Sequence, residues 1–460
     1  MEWGAADFSN MAAANRQIEI RAPAGLFAEV RTHVEDFSDG EQAGFLICSL
    51  GRTVERDILI ARVWLPVPAD RVVRDARGFM LAWRATFNAQ VLEAADALGA
   101  APVLIHSHGA SLRPRLSGPD KSNAAALFPS MSRMLPDRPC GTVVLGNTAA
   151  SGLFWRDGRP VGALDRLSVV GAPIEIWLPT PSTPSELRVR LDRQTRALGA
   201  RSDAALARAT VAVIGLSGGG SHVCQQLAHQ GVGNLVGIDD QVVEDVQLGR
   251  MVGATSADVG NAYKTEVMSR LTTSIDSEIS FHEVRARFPA TEARMAMLSA
   301  DIVIACVDTF VAREQINAFC RRYHLPLIDV GMNIKTDARR HLLVATGQVI
   351  VVTPDSSCLR CGALLSEAVL ERERLGRPPG YDLNADAPGD PQVVSMNGVL
   401  ASEAANCALD LITGYASGGR GAAWWLYDGR IGSLQRCELP SRRPGCSGCA
   451  EQGHGDPISN

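Results

Sequence analysis

The sequence predicts an α/β protein in two parts, the first of α+β type and the second with a mainly parallel sheet. The first part, 17–178, alternates short apolar runs with one long run of helical spacing at 71–98. In the second part, the apolar run 211–214 leads into glycines and a helix that begins near Gly220. Later apolar runs alternate with helical segments, which predicts βαβ units and a sheet covered on both faces. The further predicted strands are 44–49, 103–106, 142–145, 173–177, 234–238, 301–306, 326–330 and 424–427, and a late helix is predicted at 398–414.

The length and the distribution of turn-forming residues indicate how the chain is divided. A chain of 460 residues is too long for one core and suits two or three domains. Prolines, serines and threonines are concentrated just after residue 178, which is typical of a linker. We therefore predict a first domain at 1–178, a linker at 179–187 and a second domain at 188–460. A polar segment rich in Pro, Gly and Asp, 376–392, is predicted to be a loop.

Composition excludes several classes of function. The net charge of -5 gives no electrostatic indication of nucleic-acid binding. No apolar run approaches the roughly 20 residues that a membrane span requires. The first residues, Met1, Glu2 and Trp3, do not resemble a secretory signal, so we expect a cytoplasmic protein. Disulfides are rare there, and the 11 cysteines should be thiols or metal ligands.

Two histidines directly follow the apolar strand run at 103–105. Alternation along a strand directs the side chains of His106 and His108 to the same side. Asp120 could supply a third ligand and water a fourth, and such an open site is typical of catalytic zinc. Ser117 could donate a hydrogen bond to a developing oxyanion. The alternative is that the two histidines are surface or structural residues.

These residues resemble the JAMM motif of the JAB/MPN metalloproteases, which cleave after the C-terminus of ubiquitin-like proteins. The resemblance implies an upstream glutamate as general base, and Glu41, followed by Gly44 and an apolar run, matches it. The sequence departs from the motif in two ways. Eight residues rather than the usual seven separate His108 from Ser117, and Gly109 replaces the common proline. A degenerate, metal-free form of the domain is the alternative.

A glycine-rich loop joins the first strand of the second domain to a helix. Gly215, Gly218 and Gly220 allow a tight turn and let a phosphate approach the helix N-terminus. The loop lacks the Lys-Ser/Thr ending of a P-loop. Asp239, at the end of the next strand, can bind ribose hydroxyls. These residues alone suit ATP and NAD equally well.

From 188 to 452 the chain resembles the adenylyltransferase domain of ThiF/MoeB/HesA proteins and ubiquitin-activating enzymes. The resemblance implies a Rossmann-like fold and a site for Mg-ATP. Asp239 matches the ribose-binding Asp, Arg250 and Lys264 match phosphate-binding residues, and Asp308 matches the magnesium Asp. Arg193, in an RxxRQ pattern, matches an Arg that reaches the partner subunit's phosphates, which implies a homodimer. Three positions depart from the usual family residues: Ser217, Gln247 and Met251.

Two CxxC pairs lie far apart in the last quarter of the chain. They are Cys358 with Cys361, and Cys446 with Cys449. Four thiolates make a closed tetrahedral site, which indicates structural zinc, and the resembled family has the same pairs. A redox role for one pair would leave the other unexplained. No cysteine occurs between Cys361 and Cys407, where ubiquitin-type enzymes place a catalytic cysteine, and this argues against a thioester there.

Together the two resemblances imply a bifunctional, bacterial-type enzyme. The second domain would adenylate the C-terminal Gly of a ubiquitin-like or sulfur-carrier protein, and the first would cleave that protein's tail or its conjugates. The next partner would be a sulfur donor or a conjugating enzyme, depending on the destination of the carrier. The alternatives are an adenylyltransferase with a non-catalytic carrier-binding domain, and an NAD-dependent oxidoreductase in which Arg193, Arg250 and Lys264 have no role.

Overall fold

The computed structural model describes residues 16–38, 40–74, 80–83, 85–180, 188–337, 339–362, 364–376, 391–416 and 421–457. These residues form two compact units. The first comprises the described residues of Met1–Val170, Glu175–Thr183 and Gly453–Asn460, and the second those of Gly171–Ile174 and Pro184–Gln452. Most of the predicted linker, 181–187, and most of the predicted loop, 377–390, lie outside the described residues. None of the described helices is long and apolar enough to cross a membrane.

The first unit is built on an eight-stranded sheet. Its strands, in spatial order, are β1 (Gln17–Pro23), β3 (Arg56–Pro66), β2 (Ala43–Arg52), β6 (Ala101–Ser107), β7 (Cys140–Leu145), β8 (Ala150–Arg156), β9 (Arg159–Val170) and β10 (Glu175–Trp177). Strand β1 also pairs in parallel with β9, the last strand but one, so the sheet closes on itself there. Because side chains alternate along β2, Leu46 and Cys48 pack on one core while Phe45 and Ile47 pack on another.

Among the described residues of this unit, three α-helices and a small hairpin accompany the sheet. They are α1 (Ala24–Val34), the hairpin strands β4 (Val72–Arg74) and β5 (Met80–Trp83), α2 (Ala85–Ala97) and α3 (Gly118–Met134). The prediction of one long helix at 71–98 is wrong in its first half, because Val72 and Val73 pair with Trp83 and Ala82 in antiparallel strands. A short apolar run fits a strand as well as a buried helix, and periodicity alone does not distinguish them.

The second unit contains another eight-stranded sheet. Its strands, in spatial order, are β13 (Ser280–Val284), β12 (Asn234–Ile238), β11 (Thr210–Ile214), β14 (Ile302–Ala305), β15 (Leu327–Thr336), β16 (Leu342–Val352), β17 (Trp424–Asp428) and β18 (Ser433–Cys437). Four pairings are parallel and three are antiparallel, which confirms the predicted mainly parallel sheet.

Helices cover this sheet. They are α4 (Asp192–Leu198), α5 (Ala200–Arg208), α6 (Gly218–Gln230), α7 (Lys264–Ile275), α8 (Thr291–Leu298), α9 (Phe310–Arg322), α10 (Glu367–Arg374), α11 (Val394–Thr413) and α12 (Ser447–Ala450). The main core contains Leu227 of α6, Val213 of β11 and Leu400 of α11. Chain order reverses between β11 and β14, and ligands of open α/β sheets bind at the carboxyl ends of strands at such a point.

Candidate functional sites

The glycine loop of the second unit lies at this reversal point. Gly215 has a φ of +82°, and a Cβ at this position would be 2.6 Å from the carbonyl oxygen of Cys306. A Cβ at Gly220 would be 1.9 Å from the carbonyl oxygen of Gly215. Neither position therefore accepts a side chain without a backbone shift. The turn brings the N-terminus of α6, which begins at Gly218, to the sheet edge, where its free N–H groups favour an anion.

Asp239 links this loop to a buried lysine. Its carboxylate accepts hydrogen bonds from the backbone N–H of Leu216 at 2.8 Å and of Gln241 at 3.0 Å. Lys264 is almost fully buried, and its Nζ lies 3.8 Å from the Asp239 carboxylate and donates to Oε1 of Gln241 at 2.6 Å. Sequence reasoning missed Gln241, although its position two residues after Asp239 was an available signal.

Arg250 lies over the glycine loop. Its Nε is 3.5 Å from Oγ of Ser217, and its Cδ is 3.6 Å from where a Cβ of Gly218 would stand. The two other departures from the family pattern have structural explanations. Gln247 accepts a hydrogen bond from the N–H of Glu244 in a capping box, and Met251 packs in the main core.

Asp308 is exposed at the carboxyl end of β14, two residues before α9. Below it, Arg313 is buried and pairs with Asp329 at 2.7 Å. The guanidinium of Arg313 also donates to the carbonyl oxygens of Val307 at 3.1 Å and Val330 at 3.0 Å. Arg313 therefore fixes the backbone next to Asp308, and sequence reasoning missed it.

Two further side chains, those of Arg193 and Cys306, bear on the chemistry of this site. Arg193 is exposed on α4, and within the described part of the chain no hydrogen bond or ion pair connects it to the glycine loop. Burial raises the pKa of the Cys306 thiol to about 12. Cys306 is therefore protonated at neutral pH and is a poor nucleophile.

The four paired cysteines meet in the second unit. Cys358 Sγ lies 3.9 Å from Cys361 Sγ and 3.6 Å from Cys446 Sγ, and Cys361 Sγ lies 3.5 Å from Cys449 Sγ. Zn–S bonds of about 2.3 Å in a tetrahedron place the sulfurs about 3.8 Å apart, so this cluster fits a zinc ion.

In the first unit, strand pairing brings the predicted zinc ligands together. Ala43 of β2 pairs with His106 of β6, which places Glu41 beside the two histidines. Donor atoms of Glu41, His106 and His108 all lie within 4.8 Å of one another. Oδ2 of Asp120 lies 3.5 Å from Nε2 of each histidine.

The electrostatics of this cluster suit a cation. Nε2 of His106 is buried and makes no hydrogen bond to any described residue. The contact with Asp120 raises the pKa of His108. Burial alone would raise the pKa of Asp120, but its contacts with the two histidines hold that pKa well below its usual range. An ionised carboxylate beside imidazole nitrogens is a donor set that suits zinc.

Ser117 and Asp120 also have a local structural role. Oγ of Ser117 accepts a hydrogen bond from the N–H of Asp120 at 3.2 Å, and the Asp120 carboxylate accepts one from the N–H of Ser117 at 2.7 Å. The two residues thus form a capping box at the start of α3. The cap also fixes the orientation of Asp120 toward the histidines. The SxxD spacing is therefore explained by helix capping as well as by a metal site.

The fold and the loop geometry of the second unit define a nucleotide-binding α/β domain. The ThiF family model matches residues 191–448. This match spans more than half of the chain, and the chain belongs to the ThiF family, with an adenylyltransferase domain of that family at 191–448.

Curated relatives agree with this assignment. The chain is 31% identical over 177 residues to the SAMP-activating enzyme E1 of Haloferax volcanii, a match that covers 37% of this chain and 62% of the relative. It is 28% identical over 253 residues to the sulfur carrier protein ThiS adenylyltransferase of Escherichia coli, covering 54% and 88%. The molybdopterin-synthase adenylyltransferase of Escherichia coli is 28% identical over 250 residues, covering 54% and 89%. The chain thus spans less than two thirds of the length of the Haloferax relative.

Proposed function

We propose that this protein uses ATP and magnesium to adenylate the C-terminal glycine of a small ubiquitin-like or sulfur-carrier protein. The observation that carries the proposal is the Asp239 carboxylate, which binds the glycine loop through the N–H of Leu216 and lies 3.8 Å from Nζ of Lys264. One acidic group thereby orients both a phosphate-binding loop and a buried cation. The names of two relatives, which specify SAMP and ThiS, support a small carrier protein as the substrate.

The residues of the site suit the reaction. The glycine carboxylate attacks the α-phosphorus of ATP, a carboxyl oxygen–phosphorus bond forms, and the bond to the bridging oxygen breaks as pyrophosphate leaves. Like charges oppose this attack, and Arg250 and Lys264 would neutralise them. Asp308 would hold magnesium, which supplies further neutralisation of the phosphates. Arg193, exposed on α4, would act on the partner's nucleotide in a homodimer.

Exchange of labelled pyrophosphate into ATP tests the adenylation directly. We expect exchange that requires magnesium and a carrier ending in Gly-Gly, and a carrier shortened by its last glycine serves as the matched control. Exchange should disappear with the shortened carrier because the attacking carboxylate is displaced from the α-phosphorus. An absence of exchange across a panel of Gly-Gly carriers would refute adenylation. Binding of NAD under the same conditions would favour the oxidoreductase alternative.

We further propose that the first domain, 1–178, is a zinc hydrolase of the JAB/MPN type that acts on the same carrier. The domain would be joined by the linker 179–187 to the adenylating domain, 188–460. The clustering of Glu41, His106 and His108 and the unbonded Nε2 of His106 support a metal here. His106, His108 and Asp120 would hold zinc, which lowers the pKa of bound water. Glu41 would take the proton of that water, and Ser117 would donate to the oxyanion.

Fusion of the two domains has a simple kinetic advantage. Both sites would accept the same extended Gly-terminated tail, and a short tether raises the local concentration of that tail at the second site. The absence of cysteines between Cys361 and Cys407 favours direct transfer of the adenylated carboxyl to a sulfur donor over a thioester in that segment. Sulfur transfer is therefore the destination we favour over protein conjugation.

Metal analysis separates the two zinc proposals. The purified wild type should hold about two zinc ions per chain, one in each proposed site. The double variant His106→Ala, His108→Ala should lose one of them and keep exchange activity, since the cysteine cluster is unchanged. In the matched variant Cys361→Ser, the other ion should be lost. A wild type with only the thiolate-bound ion would rule out the hydrolase and leave the non-catalytic carrier-binding domain.

A further inference from the structure

The first turn of α9, directly after Asp308, is held by a carboxylate from a distant part of the chain. Oε1 of Glu373 accepts a hydrogen bond from the N–H of Phe310 at 3.1 Å, and Oε2 accepts one from the N–H of Val311 at 2.6 Å. The hydroxyl of Thr309 accepts the next N–H, that of Ala312, at 3.3 Å. The first three N–H groups of α9 are therefore satisfied, two of them by one negative charge at the positive end of the helix dipole.

The helix that carries Glu373 is otherwise held mainly by charges. In α10, Leu370 is buried, whereas Glu367, Glu371 and Arg374 are exposed. The carboxylate of Glu314, on α9, is nearly buried and accepts a hydrogen bond from Arg374 at 2.8 Å.

Arg360, between the first two cysteines of the cluster, completes this set of charges. It pairs with Glu314 and with Glu367, and Arg374 also reaches Glu367 at 3.2 Å. Two arginines and two glutamates alternate, and they connect the cysteine loop, α9 and α10. Such a network fixes α10 relative to α9 and so determines where the Glu373 carboxylate stands.

We propose that Glu373 is a positioning residue for Asp308. Its carboxylate holds the first turn of α9, and through that turn it fixes the short segment on which Asp308 stands at the edge of the nucleotide site. Arg313 holds the same segment from below through the carbonyl oxygen of Val307. Asp308 itself is exposed, so the backbone on either side of it is what limits its movement. The inference rests on the proposed adenylation, in which Asp308 holds magnesium.

The test compares Glu373→Gln with Glu371→Gln in the full-length protein. Both changes remove one negative charge from α10, but Glu371 lies outside the cap of α9, and its one ion pair with a described residue is that with Arg374, at 4.0 Å. Glutamine at 373 keeps the shape of the side chain but carries no negative charge. It also has only one acceptor oxygen, so it cannot accept from the N–H groups of Phe310 and Val311 through two separate oxygens. We expect kcat for pyrophosphate exchange to fall roughly tenfold and the magnesium concentration at half-maximal rate to rise several-fold, as for outer-shell partners of metal ligands. The KM for the carrier should be unchanged.

A second measurement separates positioning from a general loss of structure. Hydrogen–deuterium exchange at Phe310 and Val311 should be faster in Glu373→Gln than in Glu371→Gln, while zinc content stays at the wild-type level. The inference is overturned if the two variants have the same kcat and magnesium dependence, or if kcat falls without any change at these two amides. If the wild type shows no exchange with any carrier, the adenylation proposal fails. The amide measurement then decides on its own whether Glu373 holds the turn.

Discussion

Replacement of Arg250 by alanine is expected to lower the rate of carrier-dependent pyrophosphate exchange about 10²–10³-fold, the usual effect of removing one donor that stabilises developing charge. Arg250 is the cation that lies over the glycine loop, with its Nε 3.5 Å from Oγ of Ser217. It is only partly buried, so the change leaves no large cavity. The loss should therefore appear in kcat for exchange rather than in stability.

Two further variants serve as controls for Arg250→Ala. Arg250→Lys keeps the positive charge but loses the planar fork of the guanidinium, and it should recover only part of the rate. Arg430→Ala removes an exposed arginine whose contact is the carbonyl oxygen of Leu343, and it should behave like the wild type. An Arg250→Ala enzyme that keeps a rate close to that of Arg430→Ala would show that this residue does not act on the phosphates.

The second large effect is expected in the first unit, at a buried carboxylate among arginines. Glu19 is fully buried and accepts from Arg21 at 2.7 Å, from Arg56 at 2.9 Å and from Arg166 at 3.0 Å. Glu19→Gln keeps the volume but removes the buried negative charge that Arg21, Arg56 and Arg166 share. Removal of one partner of a buried ion pair typically destabilises a fold by about 3–5 kcal/mol. We expect a loss of this size in the free energy of unfolding of the first unit.

The stabilisation that ionised Glu19 provides should decrease at low pH. Burial alone would raise the pKa of Glu19, but Arg166, Arg21 and Arg56 hold it far below its ordinary value of 4.5. The folded state therefore binds this proton less readily than the unfolded state does. The stabilisation is complete above pH 4.5 and is lost as the pH falls below it. The difference between the wild type and Glu19→Gln should shrink in the same range.

Hydrogen–deuterium exchange of β1 and β9 amides in increasing urea measures this difference within the first unit. Glu35→Gln is the matched control, because Glu35 forms a surface pair with Arg31 whose side chains are about one-third exposed. Such surface pairs contribute about 0–1 kcal/mol. A loss at Glu19 no larger than that at Glu35, or one that does not vary with pH, would contradict the account of the buried pair.

The sequence predicted the second unit better than the first, for a physical reason. The strands of a parallel sheet are buried on both faces, so they are continuous apolar runs such as 211–214 and 302–305. Strand β1 was not predicted as such because Glu19 and Arg21 interrupt its apolar residues, although both are buried. Their partners come from strands far along the chain, and no local pattern reveals them.

In the nucleotide site too, the sequence predicts residues but not their long-range contacts. The order of the glycine loop, Asp239 and Lys264 along the chain predicts which residues matter, because each follows a strand or starts a helix in a known pattern. The contact of Lys264 with Gln241 and that of Glu373 with Val311 join residues 23 and 62 positions apart. Such contacts depend on the packing of whole elements. They are therefore visible only once the elements are assembled.

The spacing of the two cysteine pairs also has a consequence for synthesis of the chain. Cys358 and Cys446, whose sulfurs lie 3.6 Å apart in the folded protein, are separated by 88 positions. At the usual 5–20 residues per second, a ribosome needs roughly 4–18 s to pass from the first pair to the second. During that interval the nascent chain exposes two thiols without their final partners. Oxidation of these two thiols, or capture of a metal by them alone, would compete during that interval with closure of the four-cysteine cluster.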